Sequence, residues 1–242
     1  MSLSENSVAQ GRETGSNAGP GPVLLLGAPG VGKGTQAKEI IKIWGIPHIS
    51  TGDLLRTNVA QGTELGRMAK EIMGRGELVP DSLVNEMVAA RLQAPDAAKG
   101  YILDGFPRTL GQAGWLDGRL EAQAKAQGGT LPVVAVSIKV GYNQLLRRIT
   151  GRRNCPVCQC IYNIYGKPPK QTGICDADGT ALVQRADDTE KVFEERMRAY
   201  EASTAPVVEH YRALGRFAEV DGDRPIAEIA AGIVAAVEQL RK

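Results

Sequence analysis

An α/β fold, a parallel sheet with helices on both faces, is predicted by three features of this 242-residue sequence. Short apolar runs alternate with stretches of helical spacing from Val23 onward. A glycine-rich turn, "GAPGVGKGT" (Gly27 to Thr35), joins the first apolar run to the first helical stretch. The alternation is interrupted from Gly151 to about Asp188 by a segment that holds all four cysteines. Crossovers through helices bring successive strands parallel and leave those helices covering the sheet.

Taken in order, "VLLLG" is a buried-strand run, and Lys33 to Trp44 has helical spacing that closes at Gly45 with Pro47 just beyond. "PHIS" reads as a second short strand. Leu54 to Asn58, Glu64 to Gly74 and Ser82 to Gln93 read as helices. "GYILDG" is a strand ending at Asp104, followed by a helical stretch from Leu110 to Ala126. "PVVAVSI" is another strand, with a helix from Tyr142 to Thr150 after it. Beyond the cysteine segment come a long helix from Glu190 to about Leu214, the strand "FAEV", and a helix from Ile226 to Leu240.

Composition narrows the class. A hydrophobic fraction of 43% and a charged fraction of 23% are ordinary for a soluble globular protein. A net charge of +2 gives no reason to expect a general nucleic-acid or acidic-membrane binder. No apolar run approaches the ~18 residues of a membrane span. Residues 1–22, rich in Ser, Gly, Asn and Pro, read as a disordered tail. They lack a signal-peptide core, and Glu5 and Glu13 argue against an Arg-rich transit peptide. The expected compartment is therefore the reducing cytoplasm, which counts against structural disulfides.

The strand-to-helix setting of "GAPGVGKGT" is the one in which a phosphate loop works. Gly27, Gly30 and Gly32 let backbone N–H groups turn toward phosphate oxygens, Lys33 supplies a point charge, and the helix N-terminus adds its dipole. The usual pattern has Ser or Thr directly after the lysine to hold Mg²⁺. Here that place is Gly34, with Thr35 one step later, so magnesium is expected to be held through phosphates, waters and a carboxylate elsewhere. Asp104, at the carboxyl end of its strand, is the obvious carboxylate; read locally, it is also a residue that starts a turn before Gly105 and Pro107.

"GAPGVGKGTQAK", "HISTGDLLR", "GYILDGFPRTLGQA", "GRR" and "RADD" together resemble the adenylate kinases, within the nucleoside monophosphate kinases, over about residues 23–242. The resemblance implies a P-loop core with a five-stranded parallel sheet and two mobile insertions: a helical one over residues 50–79 that clamps AMP, and a small zinc-ribbon-like lid over residues 151–188 that closes over ATP. It implies reversible transfer of a phosphoryl group from ATP to AMP giving two ADP, with Mg²⁺. A relative with another acceptor or donor (UMP, CMP or GTP) is the second reading, and a non-catalytic binding module the third. ATP, AMP and ADP are the expected partners of a monomer that binds neither nucleic acid nor membrane.

Such a transfer must hold two polyanions together, and its loose transition state asks for positive charge and alignment rather than a nucleophile. His48 and His210 look structural. Arg56, Arg108, Arg148, Arg152, Arg185 and Arg196 fall at the family's phosphate-contact positions, where planar forks can grip phosphate, although each taken singly reads as a surface residue. With Lys33 and Asp104, all of these except Arg56 form the expected catalytic set. The resemblance carries Gly30, Val31, Gly32, Lys33, Gly34, Thr35, Arg152, Ile161, Tyr162 and Arg224 to the ATP site. It carries Thr51, Arg56, Glu77, Leu78, Val79, Gly105, Phe106, Pro107, Arg108, Gln112, Arg185 and Arg196 to the AMP site. Gln112 can pair with an adenine edge, and Thr51 stands where pyrimidine-accepting relatives tend to have Ala. Gly111 replaces a residue that is often proline in the family.

In the interrupting segment, Cys155-x-x-Cys158, sixteen further residues, and Cys175-x-x-Asp178 have ribbon spacing for tetrahedral zinc with a carboxylate as fourth ligand. A metal-free remnant and a redox motif are the other readings, but a thioredoxin-like C-x-x-C precedes a helix and "CPVCQCIYNIYG" is turn- and strand-like. Cys160 is off the ligand spacing and reads as a spare thiol.

Overall fold

The strand Gly21–Leu26 (β1) is buried along its whole length because it lies at the centre of the sheet. The computed structural model of the protein describes residues 19–127 and 132–242. Around β1, the strands His48–Ser50 (β2), Gly100–Asp104 (β3), Val134–Lys139 (β4) and one later strand form a five-stranded sheet, all parallel. The later strand, Phe217–Asp221, is numbered β7 after two short lid strands, and the sheet order is β2-β3-β1-β4-β7. Register sets Leu25 beside Asp104, and Leu26 beside Ser137, so the strands end together on one edge.

Helices Lys33–Trp44 (α1), Thr51–Gln61 (α2), Glu64–Gly74 (α3), Asp81–Leu92 (α4), Leu110–Gln127 (α5) and Tyr142–Thr150 (α6) make or precede the crossovers. Period-2 alternation divides the core. Leu24, Leu26, Leu103 and Ala135 pack on one face with Phe106, Leu116 and Tyr211. Val23, Leu25, Ile102 and Val136 pack on the other with Ile40, Phe193 and Ile233.

Between α6 and the next helix lies a second, two-stranded sheet. The strands Arg152–Asn154 (β5) and Ile161–Asn163 (β6) pair antiparallel, with single bridges from Asn154 to Val183 and from Ile174 to Ala181. The chain then enters Glu190–Ala199 (α7), a wide π-type turn over Tyr200–Thr204, and Ala205–Ala213 (α8). The single long helix expected over 190–214 is therefore divided. Pro206, in the first turn of α8, has no N–H to continue the ladder, and its ring crowds the preceding turn. Ile226–Leu240 (α9) closes the fold.

One boundary needs correction. Residues 1–18 of the expected tail lie outside the described residues, but the tail does not reach residue 22, because β1 starts at Gly21. Gly21 pairs with Gly100, and Pro22 with Tyr101. Arg241, just past α9, reinforces this edge by donating to the carbonyls of Pro20 (3.0 Å), Pro22 (2.9 Å) and Pro132. Glycine and proline concealed the start of the strand, although proline is tolerated near a strand's first residue. Among the described residues no helix is long and apolar enough to cross a membrane.

Candidate functional site

Four helices here begin with a side-chain cap: Ser50, Thr63, Thr109 and Thr189 accept from the N–H groups of Asp53, Gly66, Gln112 and Val192. Helix α1 begins at Gly32 with no such cap, which leaves its first amides and the positive end of its dipole for an anion. The turn before it is closely packed. Gly30 has φ +84, and a Cβ there would stand 2.8 Å from Ile149 Cγ1. Lys33 Nζ donates to the carbonyls of Gly27 (2.8 Å) and Ala28 (3.3 Å). Burial lowers its pKa to about 8; Asp104 opposes the shift, and the charges of Arg108, Arg196 and Arg152 add to it.

Asp104 ends β3 beside this turn. His48 Nε2 lies 3.4 Å from its Oδ2, and a Cβ on Gly34 would stand 3.5 Å from the same oxygen. The position directly after the lysine thus faces a carboxylate. Burial alone would raise the Asp104 pKa, but the His48 hydrogen bond and the charge of Lys33 outweigh it and hold the group below the usual range.

Arg108 is fixed over the same edge. Its Nε donates to the Gly105 carbonyl at 2.8 Å, and Thr51 Oγ1 donates to that carbonyl at 2.8 Å as well. Gly105 has φ +78, and a Cβ there would come within 2.9 Å of both side chains, so only glycine lets Thr51 and Arg108 share one carbonyl. Phe106 beyond it is fully buried, edge-on to Trp115, and is followed by Pro107.

The other arginines meet here. Arg152 grips Asp188, which has no exposed surface, with both prongs of its fork. Arg196 donates to Asp187 at 2.9 Å, and Arg56 pairs with Asp53. Burial, with repulsion from Arg152 and other neighbours, lowers both Arg185 and Arg196 to about 10. Burial likewise lowers Arg108, with Arg56 adding to the shift. Cations depressed by one another form a place that gains stability when a polyanion enters. Arg148 stands slightly apart, bracing the phosphate loop through Val31 O (3.1 Å) and the segment after β7 through Gly222 O (3.0 Å).

Two clefts of about 510 and 610 Å³ adjoin along Gly76, Leu78, Gly105, Arg108 and Arg196. Pro29 and Lys33 line the first; Thr51, Arg56, Val79, Gln112 and Asp187 line the second. Glu77 borders the second cleft, with its carboxylate on Arg75 at 2.8 Å. Not every expected side chain faces this space. The Tyr162 hydroxyl is turned into the lid, 3.5 Å from Cys175 Sγ and accepting from Asp176 N at 2.8 Å. Ile161 sits beside it on β6, and Arg224 is held by Asp221 at 3.1 Å after β7.

In the lid, ligand atoms of Cys155, Cys158, Cys175 and Asp178 lie within 4.8 Å of one another. Cys158 and Cys175 sulfurs are 3.4 Å apart, and Cys155 Sγ is 3.2 Å from Asp178 Oδ2. The edges of a tetrahedron with ~2.3 Å metal–sulfur bonds are about 3.8 Å, so the group fits a metal ion of that size. The Thr180 N–H at 3.0 Å, then the Cys158 and Cys155 thiols, hold the Asp178 carboxyl far below the usual range. Cys160 packs against the cluster, but its thiol is outside the four-ligand group; its carbonyl accepts Cys155 N at 2.9 Å.

Sequence reasoning took His48 for a structural residue and gave no role to Asp81, Thr204, Asp187 or Asp188. The adjacent acids of "RADD", set among arginines, were a readable signal. The others depend on contacts with distant residues.

The profile of a family described as Adenylate kinase matches residues 25–216. An adenylate kinase of Nitrosococcus oceani is 48% identical over 220 residues, spanning 90% of this chain and 99% of that protein. Those of Carboxydothermus hydrogenoformans and Archaeoglobus fulgidus are each 46% identical, over 217 and 219 residues, with the same two coverages.

Proposed function

The chain belongs to the adenylate kinase family, and on that premise we propose how its residues share the work. The reaction is the reversible transfer of the γ-phosphoryl group of ATP to AMP, giving two ADP and balancing the adenine nucleotides. The loop Gly30 to Thr35 and Lys33 take the ATP phosphates, and the second cleft takes AMP, with Thr51, Arg56, Leu78, Val79 and Gln112 around it. Residues 50–79 act as the acceptor clamp and residues 151–188 as the lid. Mg²⁺ arrives with ATP, and Asp104 is its protein-side carboxylate. The closeness of Gly34 to Asp104 supports this, since a carboxylate then faces the place usually given to a hydroxyl.

The observation that carries the reading is the set of half-buried cations at the junction of the two clefts. A phosphoryl group passing between donor and acceptor would meet Arg108, Arg196 and Lys33, with Arg152 and Arg185 close by. Charge spread over the equatorial oxygens of a loose transition state is stabilised by fixed cations already in place. Arg148 supports the loop, Arg224 flanks the ATP side, and Ile161 and Tyr162 contribute through the lid strand.

The metal at Cys155, Cys158, Cys175 and Asp178 is Zn²⁺ in this reading, a structural ion that fixes the lid. Three thiolates and one carboxylate suit a closed site with no open position for chemistry. The four unpaired cysteines fit a reducing cytoplasm, where the enzyme works as a monomer. A coupled assay across AMP, UMP, CMP and GMP with ATP tests the acceptor reading. AMP turns over fastest at matched concentrations; equal turnover of UMP or CMP overturns the assignment of Thr51 and Gln112.

A further inference from the structure

The side-chain amide of Gln112, 2% exposed on α5, is held in one orientation by two fixed neighbours. The Arg108 backbone N–H, which can only donate, gives a 2.7 Å hydrogen bond to Oε1. The carboxylate of Asp81, the first residue of α4, accepts from Nε2 at 2.8 Å. A flipped amide would turn nitrogen toward an N–H and oxygen toward a carboxylate, making both contacts repulsive. Asp81 is itself restrained. Its other oxygen accepts from Thr109 Oγ1 at 2.6 Å, and a Cβ on Gly111 would stand 3.1 Å from that oxygen. The backbone of Arg108 is held beyond this N–H too, since Thr204 Oγ1 donates to the Arg108 carbonyl at 3.0 Å.

The amide so fixed has one N–H and one oxygen lone pair left for the second cleft, which it borders. Adenine offers the complement, an N6–H donor next to a ring-nitrogen acceptor at N1 or N7. A 6-oxopurine offers O6 as an acceptor where adenine donates and, on its pairing edge, N1–H where adenine accepts. An amide locked in one orientation can tell these apart, whereas one free to flip can serve either.

We propose that Asp81 is a positioning residue that sets the preference for 6-aminopurine over 6-oxopurine acceptors by locking Gln112. The proposal rests on the reading of Gln112 as the contact to the acceptor base. Asp81 touches no nucleotide in this account; it acts through the Gln112 amide.

The test is steady-state kinetics with AMP and IMP on the full chain, for Asp81→Ala, Asp81→Asn, Gln112→Ala and the double variant Asp81→Ala/Gln112→Ala. Asp81→Ala raises KM for AMP and lowers the AMP:IMP ratio of kcat/KM, each by about tenfold, while KM for ATP and kcat at saturating AMP change little. Asp81→Asn, whose carbonyl can still accept from Nε2, recovers most of the preference. In the Gln112→Ala background the Asp81 substitution has no further effect on KM for AMP. A full Asp81→Ala effect persisting in that background, or an unchanged AMP:IMP ratio in Asp81→Ala, overturns the proposal while leaving the acceptor site intact. An unchanged KM for AMP in Gln112→Ala alone overturns the underlying reading of Gln112.

Discussion

Lys38 on α1 donates a 2.8 Å hydrogen bond to the carbonyl of Gln159, 121 residues away at the cysteine turn of the lid. The contact ties the tip of the lid to the helix that starts at the phosphate loop. Lys38→Ala should therefore favour the open lid and raise KM for ATP by about threefold, the effect of one exposed hydrogen bond of ~0.5–1 kcal/mol. KM for AMP should not move. Equal shifts in both constants would show that the contact does not report on the lid.

Gln159 itself sits in left-handed backbone, with φ 58, the only non-glycine residue with positive φ among those described. A side chain there costs ~1 kcal/mol relative to glycine, partly offset by the hydrogen bond from Gln159 Nε2 to Pro156 O. Gln159→Gly should raise the melting temperature of the metal-loaded protein by about 2 °C, read by calorimetry. A lower melting temperature would mean that the side-chain bond outweighs the strain.

The lid should depend on its metal more than the reaction does. Chelation or Cys175→Ser should lower the melting temperature clearly while activity at moderate temperature falls less, because the four ligands lie away from both clefts. Cys160→Ser should do neither. Elemental analysis of protein purified without a metal-affinity tag should give about one zinc per chain, as a closed four-ligand site requires. Loss of zinc in Cys160→Ser but not in Asp178→Ala would move the fourth ligand to Cys160.

The Lys33 ammonium sets a pH limit. It is charged below its pKa, and burial brings that value down to about 8, so the free protein loses this charge as pH rises through 8 rather than through 10.5. kcat/KM for ATP, which reports the free enzyme, should fall about tenfold per unit above that pH. kcat should stay level to higher pH, because bound phosphates favour the protonated form. A kcat/KM profile that stays level to pH 10 would show that the charge of Lys33 is not lost near pH 8 in the free protein.

Helices α1, α3, α6 and α9 begin and end where their apolar spacing puts them, since period and terminal residues act locally. The phosphate loop stands in a short motif with a fixed local geometry, as do Arg56 and Arg108, whereas Arg148 and Arg196 are placed by the resemblance over a longer stretch of sequence. The contact of His48 with Asp104 spans 56 residues, and that of Asp81 with Gln112 spans 31. Such pairs are set by strand register and helix packing, and neither partner carries a local signal. The wide turn at Tyr200–Thr204 was hidden by continuous helical spacing, with Pro206 its one visible cause.

Arg108→Ala tests the central claim most directly, that fixed cations at the junction of the two clefts carry the transfer. Its Nε bond to the Gly105 carbonyl is lost, but Thr51 still satisfies that oxygen at 2.8 Å, so the fold should hold. Turnover of ATP with AMP should fall by about three orders of magnitude with the melting temperature nearly unchanged. Near-normal turnover in the folded variant would contradict the account.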